Sequence, residues 1–199
     1  MRRVSFDACP EFLNRLIGLL HIYVMLTRVK ILVAGVGNLL RGDDGFGVVT
    51  AHRLLSQPLP SEVRVIDVGI GGIHLVQELF DSPDALFVLD AVDSGRPPGT
   101  VLVIRPKVTD VTKLPLDQRH DQLADMHWAS PERAFMLARG LGVLPDTTWV
   151  IGCQPSDTDV LGEGLSPKVS EAVETAIREL QSLVKDLGIA WPLNKSPTS

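Results

Sequence analysis

Apolar and polar residues change their period several times along the chain, and each change predicts an element. Val29 to Ala34, "VKILVA", is almost continuously apolar and is closed by glycine, the pattern of a strand buried on both faces of a parallel sheet. From Phe46 to Leu55 the apolar positions take helical spacing. Val63 to Val68, "VRVIDV", predicts a second strand, Gly72 to Phe80 a short helix, and Ala85 to Ala91, "ALFVLDA", a third strand. The connection "VDSGRPPG" into "TVLVIRP" is too short for a crossover helix, so the fourth strand should pair antiparallel with the third as a hairpin. Ser130 and Pro131 read as an N-cap and a first-turn proline, opening a helix that runs to about Leu141. "TTWVIGC", Thr147 to Cys153, predicts the fifth strand. Ser166 and Pro167 repeat the start signal. The stripe Val169, Ala172, Val173, Ala176, Ile177, Leu180, Leu183, Val184 and Leu187 that follows is the core face of a long helix.

Strands alternating with helices predict an α/β fold: a three-layer α/β/α sandwich on a mostly parallel five-stranded sheet with one antiparallel strand. Residues 29–190 form the single domain of this reading, and 191–199 a flexible tail. Residues 1–28 form an N-terminal extension, with Met25 as a candidate functional start and an added amphipathic helix as the alternative. Its apolar run from Leu16 to Leu26, broken by His21, is too short to span a bilayer. No small-residue cleavage site follows it. Between Pro106 and Trp128 the chain is polar and irregular, a length of loop more often functional than idle.

Composition narrows the class further. With 45% hydrophobic and 22% charged residues the chain is an ordinary globular protein, and a formal charge of -5 offers no footprint for nucleic acid or an anionic membrane. The two cysteines, Cys9 and Cys153, form no C-x-x-C pair, so neither a disulfide framework nor a thiolate zinc site is indicated, and a reducing cytoplasm fits.

The candidate chemistry begins in "GVGNLLRGDDGFG", Gly35 to Gly47. A glycine-rich turn after a strand usually cradles phosphate. Here Leu40 stands where the third glycine of a dinucleotide fingerprint belongs, and Asp43 and Asp44 would repel the anion. Asp44 in this turn, Asp67 near the end of the second strand and Asp90 near the end of the third all fall toward the carboxyl edge, where ligands of such sheets bind. Clustered carboxylates need a compensating cation, and an imidazole would complete a mixed oxygen and nitrogen set. His52 and His74 sit in helical patterns and suit surface or packing roles. His120 and His127 lie in the long loop, and the position just ahead of Ser130 favours His127 slightly. Any one of these aspartates alone reads more simply as a helix cap or turn residue. No G-x-S-x-G elbow or H-E-x-x-H helix is present, and Cys153 has no base beside it.

The blocks "ILVAGVGNLLRGDDGFGV", "VIDVGIGG", "LFVLDAVDSGRPPGTVLVI", "VIGCQP" and "LSPKVSEAVETAI" resemble those of the hydrogenase maturation endopeptidases, over roughly Val29 to Val184. The resemblance implies a protease that removes the C-terminal extension from the precursor of a nickel–iron hydrogenase large subunit. It implies that Asp44, Asp90 and His127 contact nickel contributed by that precursor, and that Asp44 or Asp90 is catalytic. Asp67 matches a further acidic position. Asn38 is expected to brace the turn, and Asp43 to cap the Phe46 helix. Two features depart from the family: Val68 replaces a glycine after Asp67, and "MHWASPE" around His127 is atypical. A monomer acting in the cytoplasm, without nucleic acid or membrane, is the expected setting. A non-catalytic hydrogenase assembly partner and an α/β metallohydrolase of other specificity are the alternatives.

Overall fold

The computed structural model describes residues 29–113, 115, 131–158 and 161–191. Strand β1 (Ile31–Val36) leads through a 3-10 turn (Gly42–Gly45) into helix α1 (Phe46–Leu55). Strand β2 (Val63–Gly69), helix α2 (Gly72–Leu79), strands β3 (Ala85–Ala91) and β4 (Val101–Ile104), helix α3 (Pro131–Gly140), strand β5 (Thr147–Cys153) and helix α4 (Pro167–Asp186) follow. The sheet order is β2-β1-β3-β5-β4. The first four of these strands are parallel, with Ile31 level with Val63 and Ala85, and Ala85 level with Thr147. This is the three-layer α/β architecture that the strand and helix periods predict.

One pairing differs from the expected hairpin. β4 runs antiparallel, but its partner is β5, with Val101 opposite Cys153, and β5 lies between it and β3. The connection after β3 crosses the end of β5, where Val92 N–H donates to the Cys153 carbonyl and Gly99 N–H to that of Gln154. Burial explains the choice. β5 ends in buried residues, Val150 to Cys153, and needs a strand on each side, whereas Val103 and Ile104 of β4 are exposed and suit an edge.

Alternate side chains of the central strands point to opposite helix layers. Ile31, Val33, Phe87, Leu89 and Ile151 pack with α1 and α4. Leu32, Ala34, Leu86 and Val88 pack with α2 and α3. The long apolar stripe of α4 lies in the first of these cores. So does Trp191, which the sequence reading put in the flexible tail: it is only 8% exposed, and the packed domain therefore reaches one residue further. The indole supplies apolar area that covers the end of the core beside Ile189.

Two glycines bring the first helix onto the strand ends. A β-carbon on Gly47 would lie 2.0 Å from the Leu89 carbonyl oxygen and 2.3 Å from that of Val36. Gly37 has φ +132°, and a β-carbon there would lie 1.9 Å from the Asp44 carbonyl oxygen. In both places the obstacle is backbone of a central element, which cannot swing aside. Gly47→Ala should therefore lower stability by about 3 kcal/mol, a fall in Tm of about 6–12 °C for a domain of this size. Thermal denaturation followed by circular dichroism checks this, and an unchanged Tm would show that the helix can retreat without cost.

Candidate functional site

The turn after β1 is held from inside. Asn38 Oδ1 accepts from Leu40 N–H at 3.0 Å, and its carbonyl accepts from Arg41 N–H at 3.0 Å. Asn38 N–H donates to Asp44 Oδ2 at 2.9 Å, which fixes the direction of that carboxylate at the half-buried rim. The side-chain amide thus braces the turn while the main chain orients the acid.

Asp43 does something the sequence reading did not foresee. Gly45 is the N-cap of helix α1 and no side chain caps the helix, so Asp43 does not cap it. Its carboxylate, 2% exposed, instead accepts from Ser156 N–H (2.8 Å), Ser166 N–H (2.6 Å) and the Ser166 hydroxyl (2.9 Å). Ser166 is the N-cap residue of α4, as its Pro167 neighbour suggests, yet its hydroxyl serves Asp43 rather than its own helix. Burial pushes the Asp43 carboxyl up. The hydrogen bonds from Ser166, Ser156 and Asp157 outweigh that effect and hold it below the ordinary value. This anion ties the β1 turn to the segment that leads into α4.

Asp90 is the opposite case. Burial, and then the negative charge of Asp44, push its carboxyl well above the ordinary aspartate range, and the Ala91 N–H only partly offsets them. Two acids from different elements therefore sit close enough to share one electrostatic problem. Such a pair holds a proton easily or accepts a cation readily. Asp90 lines a cleft of about 730 Å³ between the segment 104–109 and α3, with Val92, Pro106, Phe135 and Met136 as apolar walls and Arg105 and Lys107 at its side. That is within the size of an ordinary ligand-binding cleft.

Asp67 is not brought to this pair. Gly35 is level with both Asp67 and Leu89, so Asp67 faces the α1 and α4 layer while Asp90, one residue further along, faces α2 and α3. Its carboxylate is already engaged: His52 Nε2 donates to Oδ2 at 2.7 Å and Gly69 N–H to Oδ1 at 2.9 Å. His74 pairs with Glu78 within α2 at 3.2 Å. His120 and His127 lie outside the described residues. Among the described residues no group of three His, Cys, Asp or Glu side chains could hold a metal ion. Buried Cys153 is no nucleophile: burial, then the Asp43 charge, push its thiol up to about 11.

Gln154 was passed over in the sequence and proves central to the loop beside the acids. Its Oε1 accepts from Ser94 N–H (2.7 Å), the Ser94 hydroxyl (3.0 Å) and Arg96 N–H (3.2 Å). Its Nε2 donates to Asp93 Oδ1 (3.0 Å) and to the Pro155 carbonyl (3.2 Å). A buried amide directly after a buried strand, "VIGCQP", is the signal that could have marked it.

A mostly parallel α/β sheet with two interacting carboxylates and an open cleft beside one of them suits a hydrolytic enzyme. Comparison with known proteins narrows that class. Residues 48–183 match the family HycI, hydrogenase maturation protease. The chain is 33% identical over 165 residues to the hydrogenase expression/formation protein HupD of Rhodobacter capsulatus, spanning 80% of this chain and 73% of that one. It is 35% identical over 162 residues to the protein of the same name from Rhizobium leguminosarum bv. viciae, spanning 77% and 75%. The fold superposes on the hydrogenase maturating endopeptidase HybD from E. coli with a TM-score of 0.65 at 25% identity, covering 80% of this chain and 94% of that one. It superposes on the hydrogenase 2 maturation peptidase from Thaumarchaeota archaeon SCGC_AB-539-E09 with a TM-score of 0.58 at 34% identity, covering 78% and 98%. The chain belongs to the hydrogenase maturation proteases, enzymes that hydrolyse peptide bonds.

Buried Asp43 and half-buried Asp90 should respond to neutralisation with opposite signs. Asp43 stabilises the fold above the ordinary value of 3.8, and that contribution is lost as pH falls through its lower native value. Asp43→Asn should cost about 2 kcal/mol at pH 7, less in acid, read as a lower urea midpoint. For Asp90 the ionised form is the costly one. The cost is absent below 3.8, grows from there toward the raised native value, and is complete above it. Asp90→Asn should therefore raise the Tm of the free protein at pH 7 and leave it unchanged near pH 3. A lower Tm at pH 7 would mean that the Asp90 charge is fully compensated.

Proposed function

We propose that this chain removes the C-terminal extension from the nickel-loaded precursor of a nickel–iron hydrogenase large subunit. Membership of the maturation proteases supports the reaction class. The observation that carries the mechanism is the Asp44–Asp90 pair, two acids whose mutual repulsion a cation would relieve.

Asp44, Asp90 and His127 would contact the nickel that the precursor carries, and carboxylate and imidazole are donors that nickel accepts. His127 lies four positions before Pro131, which lines the same cleft as Asp90. A stretch of that length reaches up to about 14 Å. Asp44 arrives already aimed by Asn38 N–H, so little ordering is left to be done on binding. Neutralising charge beside Asp90 favours its ionised form. One of its oxygens then accepts a proton from the water that attacks the scissile carbonyl, and the same carboxyl returns it to the departing amine. Nickel held by these residues would position the scissile bond for that attack. Asp67, tied to His52 and Gly69, supports the turn after β2 in this reading and contacts no metal.

The reaction takes place in the cytoplasm, with the precursor as partner and with neither nucleic acid nor membrane involved. Among the described residues no helix is long and apolar enough to cross a membrane.

Incubation with nickel-loaded and with metal-free precursor, read by intact mass, tests the proposal. Only the loaded precursor should lose its tail. Asp44→Asn and Asp90→Asn should each slow the loss by about 10²-fold or more. Binding of the loaded precursor without shortening would make the chain an assembly partner instead.

A further inference from the structure

Large apolar side chains are exposed around the acid turn on several separate loops. Leu40 in the β1 turn is 60% exposed, Ile70 after β2 is 59%, Ile73 at the start of α2 is 53%, and Leu161 before α4 is 84%. Leu39 adds 38%. Scattered singly, such residues need no explanation, but these are joined. Gly162 N–H donates to the Leu40 carbonyl at 3.0 Å, and Gly42 N–H to the Gly162 carbonyl at 2.9 Å, so Leu161 rides on the strip beside Leu40. Gly37 N–H donates to the Gly69 carbonyl at 3.0 Å, which sets Ile70 alongside the same turn. Ile73 follows three residues later on the first turn of α2. The Asp43 anion fixes the loop that carries Leu161, through Ser156 and Ser166. The fold thus holds these side chains outward on hydrogen-bonded backbone.

We infer that Leu39, Leu40, Ile70, Ile73 and Leu161 form an apolar collar that docks the folded surface of the precursor around its nickel-bearing segment. This rests on the proposed function. The occupant follows from continuity: the collar rings the turn that presents Asp44, so whatever delivers a bond to the acids must lie against it. A short flexible tail would occupy the Asp90 cleft, on the α3 side, and has no need of apolar contacts spread over three loops. A folded partner with an apolar rim covers all of them at once. The collar also gives selectivity. An unfolded tail alone lacks the surface that fits it, so docking restricts cleavage to a precursor that has finished folding.

Because Ile70 and Leu161 are well exposed and lie outside both cores, substitutions there leave the cores intact. Leu161→Glu and Ile70→Glu, with the milder Leu161→Asn and Ile70→Ser as companions, are compared with Leu55→Glu, an exposed leucine at the end of α1. Tm measurement confirms that each is folded. With purified nickel-loaded precursor, each collar variant should raise KM by about tenfold with kcat nearly unchanged, and the Leu55 variant should match the parent. Unchanged KM in the collar variants, while the parent still removes the tail, overturns the docking role and leaves the protease reading intact. No processing by the parent chain removes the protease reading itself. A homodimer of the isolated chain that Leu161→Glu dissociates would assign the collar to a second copy and also overturn the proposal.

Discussion

At Gly47 the backbone of α1 rests directly on the carbonyl ends of β1 and β3, with no room for a single carbon between them. Every feature of the acid edge depends on that approach. With α1 seated there, the preceding turn is forced back over the sheet, and Gly37 passes beneath Asp44 in a conformation that other residues rarely adopt. Only then can Asn38 N–H reach the Asp44 carboxylate, and only then does the charge of Asp44 fall on Asp90.

The neighbouring aspartates Asp43 and Asp44 show how one turn can hold two carboxylates in opposite surroundings. Asp43 is buried among donors and ties the turn to the start of α4. Its ionised form is the comfortable one. Asp44 faces the rim and acts on Asp90, whose ionised form is penalised by burial and by that like charge. A core designed for stability alone would not leave an acid in that position. Repulsion of this kind favours a proton or a cation, and the satisfied anion one residue away anchors the turn.

Much of this was legible in the chain. The period changes mark β3, β5 and α1 to the residue, because a strand buried on both faces and a helix with one apolar stripe leave different spacings. The carboxyl-edge rule drew attention to Asp44, in the turn after β1, and to Asp90, near the end of β3. Asp67 lies near the end of β2 as well, and the rule could not separate it from the others. Its fate turned on a one-residue difference in register that sends it to the α1 side, where His52 takes it. Asp43 carries no local sign of its role, because its partner Ser166 lies 123 positions away. For Gln154 the only local sign is its place directly after β5, and its partner Asp93 lies 61 positions away.

The amino-acid sequence by itself determined the layers, the strands and helices, and which acids stand at strand ends, for these follow from local periodicity and from turn residues. It could not determine that β5 would insert between β3 and β4, nor which face each aspartate would take, nor which buried acid would find donors. Those outcomes depend on which distant backbone groups arrive beside a given side chain. Pairing and register decide that, and they exist only once the sheet has closed.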